Sequence, residues 1–134
     1  MNEENRAIQL LLVDDEAGFV EVMKKRLSRR DIRVTAALNG TEAIQVLRRN
    51  DFDVAVLDLK MEDMDGIEVL KIFRKMAPEM PVIMLTGHGS EVAAEEGITL
   101  GASGYLTKPC SLDDLLKTIR EAGEKAIPDE GNHE

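Results

Sequence analysis

The chain has 134 residues, with 17 Lys and Arg against 26 Asp and Glu and a net charge of −9 at pH 7. That length is about one domain, enough to take roughly two thirds of the unfolded surface out of water. The acid excess argues against broad binding to nucleic acid or anionic membranes, whose phosphates attract basic surfaces. The single cysteine, Cys110, excludes an internal disulfide and points to a reducing compartment. The start "MNEENR" lacks the basic-then-apolar form of a signal peptide. No apolar run nears the ~20 residues that span a bilayer. The expectation is a cytoplasmic protein with no membrane insertion and no direct nucleic-acid contact.

Short apolar runs alternate with segments of helical period. "IQLLLV" (8–13) reads as a first strand, and Phe19, Val20, Met23 and Leu27 then form an i, i+3/i+4 stripe. "IRVTA" (32–36) is a second strand, followed after a turn signal by a helix with Ala43, Val46 and Leu47 on one face. "DVAVLD" (53–58) is the third strand, and Ile67, Leu70 and Phe73 line a helix that Asp65 would cap. "PVIML" (81–85) is the fourth. The helix after it would be capped by Ser90 and is the weakest, because Gly97 inside it costs ~1 kcal/mol relative to alanine. "GYLT" (104–107) is the fifth strand. Ser111 with Asp114 then resembles a capping box, and Leu112, Leu115, Leu116 and Ile119 form the last stripe.

Five βα units predict an α/β fold, a doubly wound (βα)5 sandwich with right-handed crossovers. Nearly continuous apolar runs suit strands covered on both faces, as in a parallel sheet. The flavodoxin-like order 2-1-3-4-5 is expected, with ligands at the carboxyl ends of strands 1 and 3. Residues 1–5 and 125–134 read as polar tails around a domain at 6–124.

The polar residues that follow each apolar run would then share one edge. Asp14 and Asp15 follow "LLLV", Asp58 follows "VAVL", Thr86 follows "VIML" and Lys108 follows "GYLT". Three carboxylates in one cleft call for a cation, and hard oxygen ligands suit Mg²⁺. A carboxylate can act as nucleophile toward a phosphoryl group. An ammonium, a hydroxyl and backbone N–H groups then stabilise the phosphoryl oxygens.

"VDDE", "LDLKMEDMDG", "MLTGHG" and "YLTKPC", in that order at strand ends, resemble the receiver domain of two-component response regulators over about residues 6 to 124. The resemblance implies a single-domain regulator of a phosphorelay. Asp58 would be the phospho-acceptor, Asp14, Asp15, Asp58 and the Lys60 carbonyl the Mg²⁺ ligands, and Lys108 and Thr86 the phosphoryl partners. It also implies that Thr86 and Tyr105 form a switch, and that Lys60 and His88 tune dephosphorylation. The donor would be a sensor histidine kinase or histidine phosphotransfer protein. The output would be a protein docking at helix 4, strand 5 and helix 5, with the chain a monomer or a phosphorylation-promoted dimer. Such a chain is a phospho-acceptor with slow autodephosphorylation and not a turnover enzyme.

Glu62 stands where the family often has proline, so the loop "KMEDMD" is expected to be more acidic and more flexible.

Bland readings exist for each residue taken alone. Asp14 and Asp15 could open a helix, Lys108 could be a surface lysine, and Tyr105 could be edge packing. Asp63 and Asp65 read as turn and cap residues, His88 as a loop histidine, and Cys110 as a small half-buried side chain. "KKRLSRR" reads as a solvated helix end. A flavin carrier is disfavoured because "DDEAG" would repel a phosphate, and a phosphohydrolase because "DLKME" offers no second aspartate. The alternative within the family is a degenerate receiver that binds partners without phosphorylation, and the intact acidic set argues against it.

Overall fold

The computed structural model describes residues 7–87 and 89–126. Its elements run β1 (Ile8–Val13), α1 (Ala17–Ser28), β2 (Ile32–Ala37), α2 (Gly40–Arg49), β3 (Val54–Asp58), α3 (Gly66–Met76), β4 (Val82–Thr86), α4 (Glu91–Thr99), β5 (Gly104–Thr107) and α5 (Leu112–Ala126). The sheet is parallel throughout, in the order β2-β1-β3-β4-β5. The expected fold is therefore the one observed. Its parallel crossovers bring the carboxyl ends of the strands to one edge.

The core lies on both faces of the sheet, as the continuous apolar runs require. One layer joins Leu11, Val13, Leu57, Val82 and Met84 to Leu70 and Phe73 of α3. The other joins Leu10, Leu12, Val54, Val56, Ile83 and Leu85 to Val20 and Met23 of α1 and to Leu115 and Ile119 of α5. Each central strand thus sends alternate residues to opposite layers, the period of a pleated strand.

Strand boundaries move by at most one residue from expectation, for local reasons. Asp53 stays outside β3 and its carboxylate accepts the Gln9 N–H at 2.8 Å. Pro81 has no N–H to give, so β4 begins at Val82 while the Pro81 carbonyl accepts Ala55 N.

Helix starts follow the sequence in two cases and depart in one. Asp65 accepts the Ile67 N–H at 3.1 Å, and Ser111 Oγ accepts the Asp114 N–H at 3.0 Å. Ser90 makes no side-chain cap bond. Its backbone (φ −106°, ψ 18°) is not the extended form from which a cap hydroxyl reaches the first turn, and its N–H turns back to Gly87 O. Gly97 also needs a different reading. A Cβ there would overlap Met84 Sδ of β4, so glycine lets α4 lie close on the sheet. The expected tail at 1–5 and residues 127–134 of the one expected at 125–134 lie outside the described residues, and α5 carries the helical backbone two residues into that second tail, to Ala126.

Candidate functional site

Each site residue is placed by the end of a strand. Asp14 directly follows β1, Asp58 closes β3, Thr86 closes β4 and Lys108 directly follows β5. Asp14, Asp58 and Thr86 are buried, and carboxylate oxygens of Asp14, Asp15 and Asp58 lie within 4.8 Å of one another.

Backbone N–H groups orient these carboxylates. Glu16 N donates to Asp14 Oδ1 at 2.9 Å and Lys60 N to Asp58 Oδ1 at 3.1 Å. Glu62 N donates to Asp15 Oδ2 at 3.3 Å. The second oxygen of Asp14 is buried, with the Lys108 ammonium 2.7 Å away as its ion-pair partner. A buried anionic oxygen of this kind needs positive charge. Three converging carboxylates, hard donors only, fit a Mg²⁺ ion.

Burial pushes the Asp58 carboxyl up to about 6, against the lowering effect of the Lys60 N–H; the Asp14 charge adds to the rise. Burial alone would lower the Lys108 pKa, but hydrogen bonding to Asp14 and Glu16 outweighs it and the net shift is upward. The ammonium lies 3.9 Å from Asp58 Oδ2, 2.6 Å from Glu16 Oε1 and 4.8 Å above the centre of the Phe19 ring.

The structure therefore brings Asp14, Asp15, Asp58 and Lys108 together. The Thr86 hydroxyl is turned to the Leu106 carbonyl at 3.4 Å, and Tyr105 is 52% exposed. Lys60 pairs with Asp65 across the turn after β3. His88 lies outside the described residues. Cys110 is half-buried and burial raises its thiol pKa, as suits a packing residue.

Two contacts escaped sequence reasoning. One is Glu16 on Lys108. The other is Asp63, whose carboxylate accepts Gly40 N at 3.0 Å, Thr41 N at 3.1 Å and the Thr41 hydroxyl at 3.2 Å. With Asn39 accepting Glu42 N, the first turn of α2 is capped from two directions. Hydrogen bonding to Gly40 holds the Asp63 carboxyl below its usual range. The expected looseness of the acidic loop is not what its contacts describe: Lys60, Glu62, Asp63 and Asp65 are all tied. "DMDG" was the only local signal.

The model of the response regulator receiver domain matches residues 10–120. Over 124 residues, 92% of this chain, it is 37% identical to the transcriptional regulatory protein GlrR of Escherichia coli K12 and 34% identical to the response regulator MprA of Mycobacterium sp. strain KMS. It spans only 28% and 54% of those relatives' lengths. The Francisella response regulator 1452 receiver domain superposes with a TM-score of 0.83 at 33% identity, covering 90% of this chain and 99% of that one. A CheY-like receiver domain protein from Methanospirillum hungatei JF-1 gives 0.85 at 30% identity, covering 90% and 96%. With the strand order, the acidic cluster and the strand-end lysine in place, the chain belongs to the response regulator receiver domain family.

Proposed function

We propose that this receiver takes a phosphoryl group from a phosphohistidine donor onto Asp58 and passes the change to a protein partner. The observation that carries the reading is the pocket itself: a buried Asp58 carboxylate within 4.8 Å of the Asp14 and Asp15 oxygens and 3.9 Å from the Lys108 ammonium. An Asp58 oxygen forms the O–P bond as the donor's P–N bond breaks, and the electron pair leaves on the imidazole nitrogen. Asp14, Asp15, Asp58 and the Lys60 carbonyl would hold Mg²⁺, which when bound supplies positive charge to the transferring oxygens. Lys108 neutralises another oxygen of the group. The Thr86 hydroxyl leaves the Leu106 carbonyl to donate to the phosphoryl group, and the Tyr105 ring moves into the space released.

Lys60 lies in the turn beside Asp58, and Lys60 and His88 tune the access of attacking water. The donor is a sensor histidine kinase or histidine phosphotransfer protein, and the output face is α4-β5-α5. The domain is taken as 6–124, acting as a phospho-acceptor rather than a turnover enzyme, in a cytoplasmic regulator. No helix among the described residues is long and apolar enough to cross a membrane.

Labelling with a small P–N donor tests the reading. Wild type should incorporate acid-labile, hydroxylamine-sensitive phosphate only with Mg²⁺, and Asp58→Asn none. A folded wild type that takes no label would favour the phosphorylation-independent alternative. Persistent label in Asp58→Asn would place the acceptor elsewhere.

A further inference from the structure

Glu16 holds the N-cap position of α1, where a polar side chain commonly turns back onto the first N–H groups of the helix. The Glu16 side chain makes no such bond. It reaches the Lys108 ammonium instead, 92 positions away in sequence, at 2.6 Å. Asp14 Oδ2 meets the same ammonium at 2.7 Å, while Asp58 Oδ2 stands back at 3.9 Å. The Phe19 ring, also from α1, lies against the cation. The ammonium is therefore drawn toward the β1–α1 turn, away from the acceptor.

We propose that Glu16 is a positioning residue that restrains Lys108 and so lowers the pocket's affinity for a phosphoryl group; this deepens the phospho-acceptor reading and rests on it. Asp14 cannot be the lasting restraint, because its carboxylate is one of those that would face a bound cation. Glu16 stands outside that cluster and keeps its charge for the lysine. Its side chain is 64% exposed and that of Lys108 20%, so the pair is partly screened by water. A phosphoryl dianion can displace a restraint of that strength, and removing it should change affinity by about two- to fivefold.

The full chain can be titrated with beryllofluoride, a phosphoryl mimic, at saturating Mg²⁺. The proteins are wild type, Glu16→Gln, Lys108→Ala and the double variant. Glutamine keeps the length and the backbone and removes the charge. Glu16→Gln should bind beryllofluoride about two- to fivefold more tightly, and added salt should narrow that difference by weakening the wild-type pair. In the Lys108→Ala background the substitution should change nothing, which a purely structural role or a general charge effect would not produce. An unchanged or weaker half-saturation for Glu16→Gln, or an equal gain without Lys108, overturns the inference while leaving the acceptor reading intact. A wild type that fails to bind beryllofluoride at all removes the acceptor reading, and the inference with it.

Discussion

Gly97 of α4 and Met84 of β4 meet with no room for one more carbon. Met84 is fully buried, and a Cβ on Gly97 would overlap its sulfur and lie 2.8 Å from its terminal methyl. Two effects oppose each other in Gly97→Ala. Alanine gains ~1 kcal/mol of helix propensity, while overpacking costs typically 1–3 kcal/mol. Because Met84 has no solvent to retreat into, the clash should win by about 1 kcal/mol. Urea unfolding checks the sign, and the penalty should shrink in a Met84→Ala background, where the obstructing atoms are gone.

Gly66→Ala should be worse. A Cβ there would strike the Leu59 backbone and lie 2.9 Å from the Asp58 carbonyl oxygen, and backbone cannot rotate away. A loss of about 3 kcal/mol is expected, together with slower labelling of Asp58, since the strand end that carries the acceptor must shift. A variant with native stability and native labelling would contradict the stated contact.

Asp63→Asn tests the link between the β3–α3 loop and α2. Both Asp63 oxygens accept backbone N–H groups, and an amide can accept only one of them, so the substitution costs on the order of 1 kcal/mol at neutral pH. The sign with pH follows from the lowered Asp63 pKa. Its stabilisation is complete above the ordinary carboxylate value of 3.8 and disappears as pH falls through the lower folded value. The wild-type advantage in urea melts should therefore be present at pH 7 and close in strong acid.

Asp58 has the opposite sign. Its folded pKa is raised from 3.8 to about 6, so the ionised form opposes folding as pH rises through that window. Asp58→Asn should stabilise the chelator-treated protein at pH 7 by about 1–3 kcal/mol. The gain should fade toward pH 4, and thermal melts across that range measure it.

Thr86→Ala should still accept phosphate on Asp58 but transmit it weakly. NMR shifts with and without beryllofluoride should move around Asp14 and Asp58 in both proteins. Shifts at Tyr105 and α4 should be large only when the hydroxyl is present. Equal responses at α4 in both would remove Thr86 from the switch.

The fold was legible because β1, β3 and β4 are apolar runs and α1, α2, α3 and α5 carry their own stripes, so local pattern and global topology agree. The strand-end order of Asp14, Asp58, Thr86 and Lys108 was legible for the same reason. Other features were not. Glu16 finds Lys108 from 92 positions away, and Asp63 finds Gly40 from 23. Neither has periodicity or spacing to announce it. Gly97 misled in a different way. Propensity prices a glycine by its own helix, whereas Met84 sets its value from another element. Ser90 has the right residue type for a cap, but the Gly87 turn fixes its backbone in the wrong conformation.

The alternation of β3 and β4 between the two core layers makes the sheet a partition. Val54 and Val56 face α1 and α5, so Asp58, two residues on, continues that side. Met84 faces α3 and α4, so Thr86 continues the other. Tyr105 is in register with Met84 and shares its parity. An acceptor and a hydroxyl at one edge thus stand on different sides of a wall one residue thick. Chemistry in the compartment of α1 is separated by that wall from the compartment of α4, and the rim is the short way around it.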